Sequence, residues 1–353
     1  MKTIYQSLTE LIKRHQLEAF FIIAIAIMFG LVFPAIFLIP KENTLGQIIG
    51  YYFARIGVYS PFIAGIIVTR VTKTPKNKVP IGRRLMFLMP VWLLALIIQM
   101  ADLKLNASSG ITTIGLIILA LPVSFLPTWV VSSALSGPEN VRKMLNTLIK
   151  PRGNIIYYLV ALLTFPFLQI VGTVITNIIH GQTWFPDMRQ VTGLAYTVFI
   201  TFLSVLFYSG GLNEEAGWRG FAQKRFQAKL SPLITIFLLW FLMVIWHIPN
   251  DIVQYQNGGY LLARFAIYPV VTILFSWIYN RTNGSILAVA IFHASMNSMN
   301  PLMGIFPVTP ASNIVLIIFA ITVVLAGRMW RKLPVDHALV SRHVERIITC
   351  EHK

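Results

Sequence analysis

The sequence predicts an all-α fold: a polytopic bundle of about ten transmembrane helices, with its chemistry in the C-terminal half. Composition, the lengths of the apolar runs and the placement of positive charge predict it. Of 353 residues, 56% are hydrophobic and only 12% are charged, and the mean hydropathy is +0.71. Soluble domains carry about 25% charged residues. A membrane helix needs about 20 mostly apolar residues. Ten segments qualify: 17–39, 46–69, 85–101, 111–134, 154–179, 191–212, 231–248, 260–279, 285–305 and 311–327.

The first span is long and no small-x-small site follows it, so it is expected to be a retained helix rather than a leader. The second carries Arg55 deep within it, which calls for a polar partner elsewhere in the bundle. The third and tenth are the shortest. The fourth, fifth and ninth contain internal Pro or polar residues and are expected to kink. In the eighth, Arg264 lies four residues from the start and is expected to snorkel to the interface.

Charge placement tests this division. If the loops alternate sides, 24 of the 27 loop Lys and Arg residues fall on the side that holds both termini, and only Lys41, Lys104 and Arg189 lie opposite. Positive residues gather on the cytoplasmic side, so the expectation is a cell-membrane protein with both ends in the cytoplasm. The net charge of +17 is spread over many short loops. That suits anionic lipid headgroups of the bilayer and argues against a nucleic-acid partner. A single cysteine, Cys350, excludes an intramolecular disulfide and a Cys-based metal cluster. The Glu-His-Lys that follows it is not the aliphatic sequence of a prenylation signal.

Ionisable groups are costly in a bilayer and by default suggest function. The conspicuous ones fall within 213–300. Asn213-Glu214-Glu215-Ala216-Gly217-Trp218-Arg219-Gly220 places Glu215 and Arg219 four apart, a favourable ion-pair spacing on a helix. Glu214 points about 100° away, free to act as a general base in a cavity. A plain charge cluster at a helix end is the competing reading. Trp246-His247-Ile248-Pro249 ends an apolar run, with Pro249 expected to help stop the helix and His247 open to an interfacial or capping role. Phe292-His293-Ala294-Ser295-Met296-Asn297 puts His293 and Asn297 on one face, continued by Asn300, and helix–helix hydrogen bonding explains that stripe as well as catalysis does. Together these residues suit peptide hydrolysis, which needs a base for water and donors for an oxyanion. A Glu with two His also suits zinc.

In this order and spacing, Glu-Glu-x-x-x-Arg, an apolar helix ending in His, and His-x-x-x-Asn resemble the CPBP family of CaaX proteases and bacteriocin-processing enzymes, also called Abi. The likeness covers roughly 210–300 and includes Trp218-Arg219-Gly220, Trp246-His247-x-Pro249, and Ile278-Tyr279-Asn280-Arg281-Thr282 with Gly284-Ser285. It implies that Glu214 and His247 activate water, that His293 and Asn297 form the oxyanion site, and that Glu215 and Arg219 support them. The substrate would be a membrane-associated peptide or protein. The resemblance allows a metal-free mechanism, or zinc on Glu214, His247 and His293. Met243 stands where the family usually has Phe, and its packing is expected to survive. The expected division is 1–190 as family-divergent N-terminal helices, 191–327 as the peptidase core and 328–353 as a basic tail.

A catalytically silent protein of the same fold, an immunity factor or scaffold, is the alternative. A transporter is a third class, disfavoured because the sequence has no inverted repeat. Strict alternation of spans sets Glu214 near one face and His247 near the other. They meet only if residues from 213 onward belong to a helix inside the membrane rather than to a loop.

Overall fold

A computed structural model describes residues 2–37, 44–72, 80–106, 112–182, 188–255, 258–334, 337 and 339. The elements in order are α1 (Lys2–Arg14), α2 (Gln16–Ile27), a π-helical segment (Met28–Val32), α3 (Phe33–Phe37), α4 (Thr44–Val58), α5 (Ser60–Thr72), α6 (Ile81–Asn106) and α7 (Thr113–Ser136). Then come α8 (Glu139–Ile149), α9 (Ile156–Ile179), α10 (Met188–Gly193), α11 (Ala195–Tyr208), α12 (Leu212–Gly217), a second π-helical segment (Trp218–Gln223) and α13 (Lys224–Gln227). The chain ends with α14 (Pro232–Tyr255), α15 (Gly258–Arg281), α16 (Ile286–Asn297), a 3₁₀ turn (Asn300–Leu302) and α17 (Pro310–Gly327). Cys350, Lys41 and most of the basic tail lie outside the described residues.

The protein is an all-α, polytopic membrane bundle. Among the described residues seven helices are long and apolar enough to cross a bilayer, or eight when the bent pair α4–α5 counts as one span. This count does not confirm the expected ten. The second span is broken, with α4 and α5 meeting at 51°. The ninth, expected over 285–305, is helical only from Ile286 to Asn297 before its 3₁₀ turn. Twelve residues rise about 18 Å, well short of an apolar layer of about 30 Å. The 24-residue α15 also stands outside the count.

The apolar signal at 191–212 does not end there. Residues 195–227 form one 33-residue candidate span, interrupted at Ser209-Gly210-Gly211. Glu214 thus lies in α12, where helix resumes after the break, rather than in a loop. The polar letters Asn213, Glu214, Glu215 and Arg219 end the hydropathic run without ending the helix.

Short α16 is central. Its Ala288, Val289, Ala290, Phe292 and His293 are all buried, and it packs against α9, α11, α12 and α15. An element buried on every side belongs to the core of the bundle. The N-terminal helices also reach the C-terminal half. Phe20 and Phe21 of α2 form one apolar cluster with Trp218, Phe221, Leu239, Met243 and Trp246. Phe20 stacks on Phe221 at 4.8 Å, and Trp218 meets Trp246 edge-on at 5.6 Å. Such aromatic pairs contribute about 0.5–1.5 kcal/mol each beyond area burial.

Candidate active site

Three breaks in regular helix build the site. The first is Gly210, at φ +131°, a backbone region that side chains rarely adopt. A Cβ there would also collide with the His293 imidazole, so glycine lets the backbone touch that ring. The second is the α4–α5 bend at Tyr59, which leaves the Val58 carbonyl and the Ser60 hydroxyl available as acceptors. The third is the π-helical turn after Gly217, a feature often found at functional sites.

Asn213 joins the first two breaks. Its Oδ1 accepts from the Gly210 N–H at 3.0 Å, and its Nδ2 donates to the Val58 carbonyl at 3.1 Å. The Tyr59 hydroxyl donates to the Phe207 carbonyl at 2.6 Å, and Trp246 Nε1 donates to Ser60 Oγ at 2.7 Å. Three consecutive residues of the bent span thus hold the helices that carry Glu214 and His247.

Every residue of α12 is buried. Glu215 is fully enclosed; its Oε1 lies 2.8 Å from His293 Nδ1 and its Oε2 lies 3.3 Å from Arg219 Nε. The Arg219 guanidinium lies 5.0 Å over the Phe275 ring and donates through Nη1 to Met243 Sδ at 3.5 Å. Met243, the departure from the family pattern, is therefore buried against the arginine that holds the acid pair. Glu214 is 4% exposed, and its Oε2 has no hydrogen-bond partner. His293, Glu215, Arg264 and Arg219 all act on it electrostatically.

His247 does not end its helix. α14 continues through Pro249 to Tyr255, because a proline buried among neighbouring helices kinks a membrane helix without stopping it. The His247 Nε2 lies 3.4 Å from the Tyr268 hydroxyl, and its buried Nδ1 has no hydrogen-bond partner. Tyr268 in turn accepts a short hydrogen bond from Arg264 Nη1. Arg264 does not snorkel. Its side chain is 9% exposed and its Nε lies 2.9 Å from Asp251 Oδ2, itself buried, on the preceding helix. An inward-facing acid at close range outweighs the distant interface. Arg55, the other arginine within a span, donates through Nη1 to Ser209 Oγ at 2.8 Å and lies over the Tyr51 ring.

Glu214, Glu215, Arg219 and His293 are thus gathered from two helical stretches, and His247 of α14 lies within electrostatic reach of His293 and Arg264. Asn297 is one turn beyond His293 on α16 and partly buried. Sequence reasoning gave no role to Gly210, Asp251 or Tyr268. Ser209-Gly210-Gly211 just before the two acids, and Asp251 one turn after His247, were the available signals. Among the described residues no group of three or more His, Cys, Asp or Glu side chains is arranged to hold a metal ion. Glu215 engages His293 Nδ1, which leaves Nε2 as the ring atom that a zinc ion or an oxyanion would meet.

Residues 196–299 match the family described as Type II CAAX prenyl endopeptidase Rce1-like. Over this segment the chain is similar to the CPBP family. The matched segment runs from the start of α11 to just beyond α16 and includes every residue of the candidate site. It leaves the N-terminal helices, including the clamp at 58–60, outside the Rce1-like match. No curated protein matches the chain.

Proposed function

We propose that the chain is an intramembrane endopeptidase that hydrolyses a peptide bond of a membrane-associated substrate. Glu214 and His247 activate the water, His293 and Asn297 stabilise the oxyanion, and Glu215 with Arg219 holds His293 in place. The observation that carries this reading is the contrast between adjacent carboxylates. Glu215 is held by a hydrogen bond with His293 on Oε1 and by the Arg219 ion pair at 3.3 Å on Oε2, whereas Glu214 Oε2 is buried without a hydrogen-bond partner. A carboxylate so placed can take a proton from water held in the site.

The water oxygen adds to the scissile carbonyl carbon as its proton passes to Glu214, and the carbonyl electron pair moves onto oxygen. Collapse of that oxyanion breaks the C–N bond, and the proton passes to the departing amine. Donors aimed at the developing oxyanion typically contribute about 10²–10³ in rate. With Nδ1 facing Glu215, His293 offers Nε2 to the oxyanion, and the carboxylate balances the charge of a doubly protonated ring. Residues 191–327 form the peptidase core in this reading, 1–190 its support and 328–353 a basic tail. The basic loops and both termini face the cytoplasm.

The Rce1-like description makes a prenylated C-terminal peptide the first substrate to test. Purified protein in liposomes is offered farnesylated CaaX peptides, and membrane peptides are compared by mass spectrometry between cells carrying wild type and Glu214→Ala. The reading expects cleavage by wild type and none by a variant of unchanged melting temperature. Full cleavage by well-folded Glu214→Ala overturns it.

A further inference from the structure

Hydrolysis inside a bilayer needs water where lipid excludes it, and two polar stripes address that need. On the helix through α12 and α13, Glu215, Arg219, Gln223 and Gln227 recur every four residues, and all four are buried. In a regular α-helix each such step drifts by about 40°. The π-helical turn over Trp218–Gln223 is wider and offsets that drift, keeping the side chains in line. On α15, Tyr268, Thr272, Ser276 and Asn280 recur at the same spacing. Ser276 Oγ lies 3.4 Å from Gln223 Oε1, where the two stripes meet.

The stripes start at the two histidines, since Glu215 contacts His293 and Tyr268 contacts His247. They end near Arg225 and Arg281, at the basic-loop end of the bundle. Along them Gln223 Nε2, both amide atoms of Gln227 and Asn280 Oδ1 are buried without a hydrogen-bond partner. Leaving a buried polar group unpaired is costly. Four such atoms along one seam mark a place suited to water, which typically takes two to four partners at such sites.

We propose that this seam between the α12–α13 helix and α15 is a hydrated conduit that brings water from the basic-loop end to Glu214. Its role as a supply route rests on the hydrolase reading. Its hydration does not, and can be measured alone.

Brief X-ray hydroxyl-radical labelling of the full-length protein in detergent reports side chains next to bound water. Met243, beside Arg219, is about as buried as Met299, which sits in a separate apolar cluster with Leu302 and Phe306. Labelling of Met243 several-fold above Met299 is expected, falling several-fold in Gln223→Leu and in Gln227→Leu. Met243 labelled no more than Met299 in wild type overturns the conduit. So does labelling that neither Leu substitution reduces. With hydration established, turnover falls in the Leu variants at unchanged KM, and unchanged turnover overturns the supply role. A dry seam in an active enzyme sinks the conduit alone. A wet seam in a protein whose Glu214→Ala variant keeps activity sinks the hydrolase reading alone.

Discussion

Asn213 Nδ2 donates to the Val58 carbonyl at 3.1 Å, across 155 positions of sequence, and so ties the helix of the two acids to the bend of an N-terminal span. The Gly210 N–H held by Oδ1 of the same amide fixes the turn that faces His293. Asn213→Ala leaves a buried carbonyl and a buried N–H unpaired, at about 1–3 kcal/mol each. A fall in melting temperature together with lost turnover is expected, and Asn213→Asp, which sets an oxygen against the Val58 carbonyl, does not rescue either. Thermal unfolding in detergent alongside peptide cleavage checks both.

The adjacent acids are expected to behave oppositely. Glu215→Ala strips Arg219 and His293 of their shared partner, and breaking a buried ion pair costs about 3–5 kcal/mol. Loss of folded protein is the expected outcome. Glu214→Gln removes the base and disturbs little packing, so it folds as wild type and does not cleave. Yield and melting temperature beside turnover separate the two, and a stable, fully active Glu215→Ala would contradict the geometry.

Gly210→Ala is disfavoured by both the backbone angle and the collision with His293. The expected result is a strongly destabilised, inactive protein. Gly193→Ala, where an added methyl meets nothing within 4 Å, melts at or slightly above the wild-type temperature. Paired melting curves decide the matter.

Tyr268 connects the Asp251–Arg264 pair to His247. Tyr268→Phe removes the hydroxyl and keeps the ring, so kcat drops several-fold with little change in stability. Arg264→Met leaves Asp251 as a buried, uncompensated acid and is expected to unfold more readily. Kinetics on the first variant and calorimetry on the second test the two roles.

Because the described acidic and imidazole groups are not arranged to hold a metal, full turnover is expected after dialysis against a strong chelator. Elemental analysis of the purified, active protein should find zinc well below one atom per chain. Lost activity that zinc alone restores would overturn this expectation.

The bundle and most of its helices were legible in the sequence because a bilayer imposes one rule, about 20 apolar residues per crossing. The Glu215–Arg219 spacing was legible for an equally local reason. What was not legible came from tertiary contact. Hydropathy ended a span at 212, yet after a short break α12 carries both acids inside the bundle, where Glu215 finds His293 from a distant helix. Pro249 read as a terminator, yet α14 passes through it. Arg264 read as interfacial, yet Asp251 holds it inside. In each case a partner far along the chain, or on the next helix, outweighed a local tendency.

The packing of Phe20 and Phe21 on Trp218 and Phe221 sets a waiting time during biosynthesis. About 200 residues separate the two halves of that aromatic contact. At about 5–20 residues per second, the first helix resides in the bilayer for roughly 10–40 s before its partner is made. Throughout that interval its aromatic face is open to lipid or to an insertion chaperone, and the two acids enter the membrane only after the surface that will enclose their helix is already there.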